Sequence, residues 1–150
     1  MTETSSTPDV SERGGPAAIR GYRLQVLYAL DRLLSGSVRV RLEGLEDVDL
    51  LDTNDLPVEV MQVKAHAAPL AMSMLRSESG ETSFWERLRD LAVGQPAIRG
   101  AVVSFGDVGP ELKGALQHDK KHRDSVSRKL REDYDVAEPD ELLARVVLRE

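Results

Sequence analysis

Residues 38–64 read VRVRLEGLEDVDLLDTNDLPVEVMQVK, and the fold turns on how that stretch pairs. Val38, Val40 and Leu42 alternate with Arg39, Arg41 and Glu43, the period of two expected of a half-buried strand over 38–45. Residues 46–51 either continue that strand or form the next one. Thr53-Asn54-Asp55-Leu56-Pro57 has the composition of a turn. VEVMQVK, residues 58–64, predicts a second strong strand, and the short connection predicts an antiparallel hairpin.

Working outward, residues 17–34 place Ile19, Tyr22, Val26, Ala29, Leu30 and Leu33 at helical spacing. Leu24, Leu27 and Leu34 widen the apolar arc, so this helix is expected to be well buried, with Ser35-Gly36-Ser37 ending it. Residues 66–80 show no useful pattern. Ser83 with Glu86 three residues on forms a capping box, and Phe84, Trp85, Leu88 and Leu91 then predict an amphipathic helix ending near Gly94 and Pro96. Phe84 and Trp85 are read as core. AVVSF, 101–105, bounded by Gly100 and Gly106, predicts a buried strand. Gly109-Pro110 opens what reads as one long polar helix to about Arg131. Leu142, Leu143, Val146 and Val147 after Pro139 fit a helix or a strand.

The order α-β-β-β-α-β-α predicts an α/β fold, a mixed sheet flanked by helices. The expected division is a disordered lead over 1–15, rich in Ser, Thr, Gly and Pro, and one domain over 16–131. Residues 132–150 are read as a terminal helix or the start of a following module. A chain of 150 residues suits one core of moderate size. No apolar run approaches the roughly 20 residues of a membrane span, so no membrane partner is expected. The absence of cysteine removes disulfides and thiolate metal sites, and a cytoplasmic location is expected.

The formal charge of −6 argues against a purely electrostatic nucleic-acid binder, but the charge is unevenly placed. Residues 38–64 carry net −4, residues 113–131 net +5, and residues 132–150 net −5. An acidic centre near a basic segment is what a metal-dependent phosphodiester enzyme requires: carboxylates for the cation, Lys and Arg for the polyanion. Strand alternation puts Gln62 and Lys64 on one face, and likewise Asp47 and Asp49, and an antiparallel hairpin would lay the two sets side by side. Mg²⁺, or Mn²⁺ in its place, takes oxygen ligands and keeps several waters, so one or two carboxylates plus a carbonyl suffice. Asp49 is the first expected ligand, with Asp47 as second carboxylate and Gln62 offering its amide oxygen. Lys64 is expected to orient or deprotonate the attacking water, or to stabilise charge on the phosphate. Glu43 is a candidate supporting residue.

Asp49, then twelve residues, then Gln62-Val63-Lys64 resembles the D…(D/E/Q)xK signature of PD-(D/E)XK restriction-endonuclease-like nucleases, and the Gln variant is similar to their Mrr-type branch. The predicted element order resembles that superfamily's αβββαβ core. Gly14-Gly15-Pro16-Ala17, Gly21-Tyr22-Arg23-Leu24-Gln25 and Glu46-Asp47-Val48-Asp49 before QVK resemble the N-terminal nuclease domain of CD-NTase-associated endonuclease effectors of bacterial anti-phage defence. The resemblance spans about residues 14–105. It implies Mg²⁺-dependent cleavage of double-stranded DNA with little sequence specificity, and a sensor or NTPase module in the same or a partner chain. A homo-oligomer is compatible with it. It also implies that Gln25 reaches from its helix toward the active site. Gln62 departs from the usual Glu and binds a cation less strongly. His66 shares strand parity with Lys64 and is a weaker candidate for substrate contact. Lys120, Lys121, Arg123, Arg128 and Lys129 are the expected contacts to the DNA backbone. The rival expectation is a non-catalytic module of the same fold that binds DNA or protein.

Overall fold

The computed structural model describes residues 15–36, 39–75 and 82–150. The expected lead over 1–15 lies outside the described residues except for Gly15. Helix α1 spans Gly15–Leu34, followed by β1 (Arg39–Leu42), β2 (Val48–Leu51) and β3 (Pro57–Lys64). A short 3-10 turn at Met72–Met74 precedes α2 (Phe84–Gly94) and β4 (Arg99–Ser104). Helices α3 (Pro110–Leu116), α4 (Lys120–Tyr134) and α5 (Pro139–Ala144) lead into β5 (Val146–Arg149). The chain is therefore α/β, with a five-stranded mixed sheet in the order β1-β2-β3-β4-β5. Strands β1, β2 and β3 form an antiparallel meander, whereas β4 runs parallel to β3 and β5 parallel to β4.

The predicted hairpin closes through residues 52–56. Asp52 Oδ1 accepts hydrogen bonds from the amides of Asn54 (2.8 Å) and Leu56 (3.0 Å), and Asp55 adopts a left-handed φ of 63°. Alternation along β3 then sorts the core into two layers. Met61 and Val63 pack with Val48, Leu50, Ala101, Val103 and Ala29 of α1. Val60 and Val102 face the other way, into the larger cluster built on Phe84, Trp85, Leu88, Leu112, Val126 and Leu130. So α1 covers one face of the sheet and α2, α3, α4 and α5 cover the other. Gly100 lies where β4 passes under α2, and a β-carbon there would sit 2.8 Å from Leu88 and 2.9 Å from Phe84.

Two expectations are corrected and one open alternative is resolved. The helix expected over 110–131 is two helices. His118 takes a left-handed φ of 67°, and Asp119 caps a new helix by accepting from the His122 amide at 3.0 Å. The two helices close tightly because Gly114 leaves room for the His122 ring. Second, α1 is not well buried. Among the described residues it is the one helix on its face of the sheet; it buries Gln25 and Ala29 and leaves Ile19, Tyr22, Leu27, Leu30, Leu33 and Leu34 exposed. Third, the ambiguous VVL segment is a strand: β5 extends the sheet beside β4, with Gly100 aligned to Val146. Arg149 on β5 ion-pairs with buried Glu59 and donates to the Tyr28 hydroxyl of α1 at 3.1 Å.

The capping box forms as predicted: the Glu86 amide donates to Ser83 Oγ (3.2 Å), and the Ser83 amide donates to Glu86 Oε2 (2.8 Å). Ser83 is buried, so no water replaces its hydroxyl. Ser83→Ala is expected to lower unfolding free energy by about 1 kcal/mol in urea titration, with an unchanged slope.

Candidate functional site

The candidate site lies where the β2–β3 ladder ends. Val48 opposes Met61 and Asp49 opposes Val60, so Asp47, Asp49, Gln62 and Lys64 share the α2 side of the sheet. The sequence-derived grouping is therefore met by register. The roles within the group differ from those expected.

Asp49 is 0% exposed, and both of its oxygens are engaged. Oδ2 accepts from Arg41 Nη2 (2.8 Å), Arg41 Nε (3.1 Å) and the Leu45 amide (2.7 Å). Oδ1 accepts from the Glu46 amide at 3.0 Å. This carboxylate is the internal template of the loop 43–47 rather than an outward-facing ligand. Gly44 is required there, because a β-carbon would collide with the Asp49 carboxylate and the Arg41 guanidinium. Glu43, exposed and at a left-handed φ of 51°, starts the same turn.

The loop delivers two acidic neighbours. Asp47 Oδ2 accepts from the Val63 amide at 2.9 Å, taking over where the backbone ladder has stopped. Its side chain thus bridges to β3 between Gln62 and Lys64. Glu46, buried, ion-pairs with Arg87 of α2, whose Nη2 donates to Glu46 Oε2 at 2.8 Å. Arg87 is itself fixed by donating to the Thr82 carbonyl (2.7 Å) and hydroxyl (2.9 Å). Gln62, also buried, hydrogen-bonds to Glu46. Burial pushes the Glu46 carboxyl above the ordinary glutamate range, opposed by its hydrogen bond and charge interaction with Arg87. Lys64 is half-buried at the end of β3, and exposed His66 follows it. Partial burial, then the Lys64 charge, lowers the His66 pKa.

The structure thus gathers Glu46, Asp47, Gln62, Lys64 and Arg87. Glu46 and Arg87 were not singled out as site residues from the sequence. Glu46 sits in the acidic run, a faint signal, but nothing in the polar face of α2 marks Arg87 as its partner. Gln25 is not brought to the group. It is buried on α1, which covers the opposite face of the sheet, the face toward which Met61 and Val63 point.

The basic residues share the site's side of the sheet, because Val126 and Leu130 of α4 join the cluster that holds Val60. Lys129 pairs with Glu111 at 2.7 Å, and Arg123 pairs with Asp140 and donates to the Asp140 carbonyl at 3.0 Å. Lys120, Lys121 and Arg128 are exposed, as is Arg131.

No known family model, characterised protein or solved structure matches this chain.

Oxygen is the only donor type that Glu46, Asp47 and Gln62 offer, which fits a hard divalent cation. Among the described residues no three His, Cys, Asp or Glu gather as a metal-binding group. A cation here would rest on the Asp47 carboxylate and the Gln62 amide oxygen, with water completing its shell, as Mg²⁺ accepts, since Arg87 already engages both Glu46 oxygens.

Two outcomes separate the roles of the acids. Asp49→Ala strands the Arg41 guanidinium and two loop amides, and should cost about 3 kcal/mol or more in chemical denaturation. Asp47→Asn keeps an acceptor for the Val63 amide and should change stability by less than about 1 kcal/mol. For Glu46, the raised folded-state pKa means that folding favours the protonated acid. Its contribution is complete below the unfolded pKa and declines as pH rises through the folded one. Wild-type stability relative to Glu46→Gln should therefore fall as pH is raised from acid to neutral, measured as paired denaturation curves.

Proposed function

We propose that this chain is a metal-dependent endonuclease with a restriction-endonuclease-like core, hydrolysing DNA phosphodiesters as an effector of anti-phage defence. The observation that carries the reading is the shared sheet face of Asp47, Gln62 and Lys64, flanked by the Glu46–Arg87 pair. The order of α1 to β4, with an antiparallel meander and a parallel fourth strand, is compatible with that core.

In this reading Asp47 and Gln62 would hold Mg²⁺, or Mn²⁺, with water, Glu46 lies beside them on Arg87, and Asp49 shapes the loop that presents the acids. The cation, when bound, makes water easier to deprotonate and offsets charge on the phosphate. Arg87 keeps the Glu46 carboxyl aimed and opposes the upward pull of burial on its pKa. Asp47 is fixed in azimuth by the Val63 amide. Lys64, at the rim of the same face, orients the attacking water and stabilises the negative charge that grows on the phosphate. Lys120, Lys121 and Arg128 contact the DNA backbone from α4, on the same side of the sheet. Arg123 and Lys129 contribute less, because Asp140 and Glu111 already engage them.

Supercoiled plasmid incubated with the protein and Mg²⁺ should be nicked and linearised, and EDTA should abolish this. Lys64→Ala and Asp47→Asn should each lower the rate by about 100-fold or more while leaving the fold intact by circular dichroism. Cleavage that persists at the wild-type rate in both variants removes the site from the reaction. Binding of DNA without cleavage under either metal transfers the reading to a non-catalytic module. Lys120→Glu, Lys121→Glu and Arg128→Glu should weaken DNA binding and reduce its salt dependence by about one counterion per contact.

A further inference from the structure

Helix α1 carries a second functional surface on the side turned away from the sheet. Ile19, Tyr22, Leu27, Leu30, Leu33 and Leu34 are all exposed there, with Leu27 at 60%, Ile19 at 55% and Leu34 at 89%. At about 100° per residue they fall within one arc of roughly 140° along a 20-residue helix, so they form one stripe. Single exposed leucines are ordinary, but a contiguous apolar stripe of this length marks an interaction site. The inward side of the same helix explains why the stripe exists: among the described residues it fully buries only Gln25 and Ala29, and its core contacts are few. The strongest apolar content of α1 is thus spent outward.

We propose that this face pairs with α1 of a second copy of the chain, in an antiparallel two-fold arrangement. The charges choose the partner and the direction. The exposed charged residues of the helix are Arg20 and Asp31, on one flank of the stripe toward its start and its end, and Arg23, which falls within the stripe. Arg20 and Asp31 are separated by about three helical turns, so they lie on the same flank, and their midpoint falls near the middle of the stripe. A two-fold axis through that midpoint brings Arg20 of each copy beside Asp31 of the other, twice per dimer. A parallel pair would instead carry the flank of one copy to the opposite side of the seam from that of the other, and would leave Arg20 without an Asp31 across from it. Antiparallel packing also sets the positive end of each helix dipole beside the negative end of its partner. An isologous contact needs a patch complementary to itself under rotation, and this stripe has that property. A lipid surface is the less suitable occupant, because Asp31 interrupts a face that otherwise carries only two arginines.

The test is sedimentation velocity of the full chain over a concentration series, beside thermal unfolding of each variant. Wild type should sediment as a dimer that dissociates on dilution. Leu27→Glu and Leu30→Glu should weaken dimerisation by about tenfold or more. Leu34→Glu is the control variant, since so exposed a side chain is replaced without loss of packing within one copy, and it too should loosen the dimer. Arg20→Asp should weaken the dimer, and Arg20→Asp with Asp31→Arg in the same chain should restore it. A wild type that stays monomeric throughout the series, or dimers that survive all three leucine substitutions, would overturn the proposal. Failure of the double charge exchange to restore pairing overturns the antiparallel geometry. Monomeric wild type that floats with anionic vesicles assigns the stripe to a membrane instead.

Discussion

The buried Asp49 carboxylate governs the geometry of everything at the end of the sheet. Its two oxygens collect Arg41 from β1 and the amides of Leu45 and Glu46, so one side chain on β2 shapes the loop preceding it. The cost of burying that charge is offset by a guanidinium and by backbone donors that point inward. With the loop held, Glu46 turns toward α2 and Asp47 toward β3. Arg87, Gln62 and the Val63 amide then receive them. Glu46 and Asp47 owe their positions to hydrogen bonds that exist because the loop is closed from within. Glycine at position 44 belongs to the same constraint, since the loop backbone passes directly over the carboxylate it wraps.

The two faces of the sheet do different work. On the α2 side, four helices cover the strands and leave a polar group at one end, with the basic helix α4 packed into the same layer. On the α1 side, a single helix covers the meander, and the Glu59–Arg149–Tyr28 contact ties that helix to the last strand. A lone helix has more perimeter than the sheet can use. That is why a sequence with so many leucines leaves them outside, and why α1 presents an apolar exterior above a thin contact layer.

Much of this was legible from the chain. The alternation in VRVRL and VEVMQVK fixed the meander and which residues share a face, because a period of two admits no other assignment once the turn is placed. The capping box at Ser83 was legible because both of its hydrogen bonds are local. The break at His118 was not, since one residue entering left-handed backbone leaves no trace in apolar spacing. The exposure of α1 was hidden for the opposite reason: its spacing describes a fully surrounded helix, and only the tertiary arrangement shows that, among the described residues, one side is uncovered. Within the site, the sequence identified a cluster of acids but not their division of labour. Asp47 and Asp49 look alike as strand residues. Which one supports the loop depends on Arg41 folding across from β1, and Arg87 arrives from a helix forty residues downstream of Glu46.

The parallel pairing of β3 with β4 sets the order in which the molecule can assemble. The β1–β2–β3 meander forms from neighbours in sequence and closes only short loops. The β3–β4 ladder cannot begin until the chain from Lys64 to Arg99, α2 included, has been brought back across the sheet, and β5 must then wait for three further helices. Loop-closure entropy is spent before either parallel ladder returns any hydrogen bond. Folding is thus polarised, with the acidic half of the site organised by the early meander. Arg87 enters only with the β3–β4 crossover, so the ionic partner of Glu46 arrives after the meander that organises the acids.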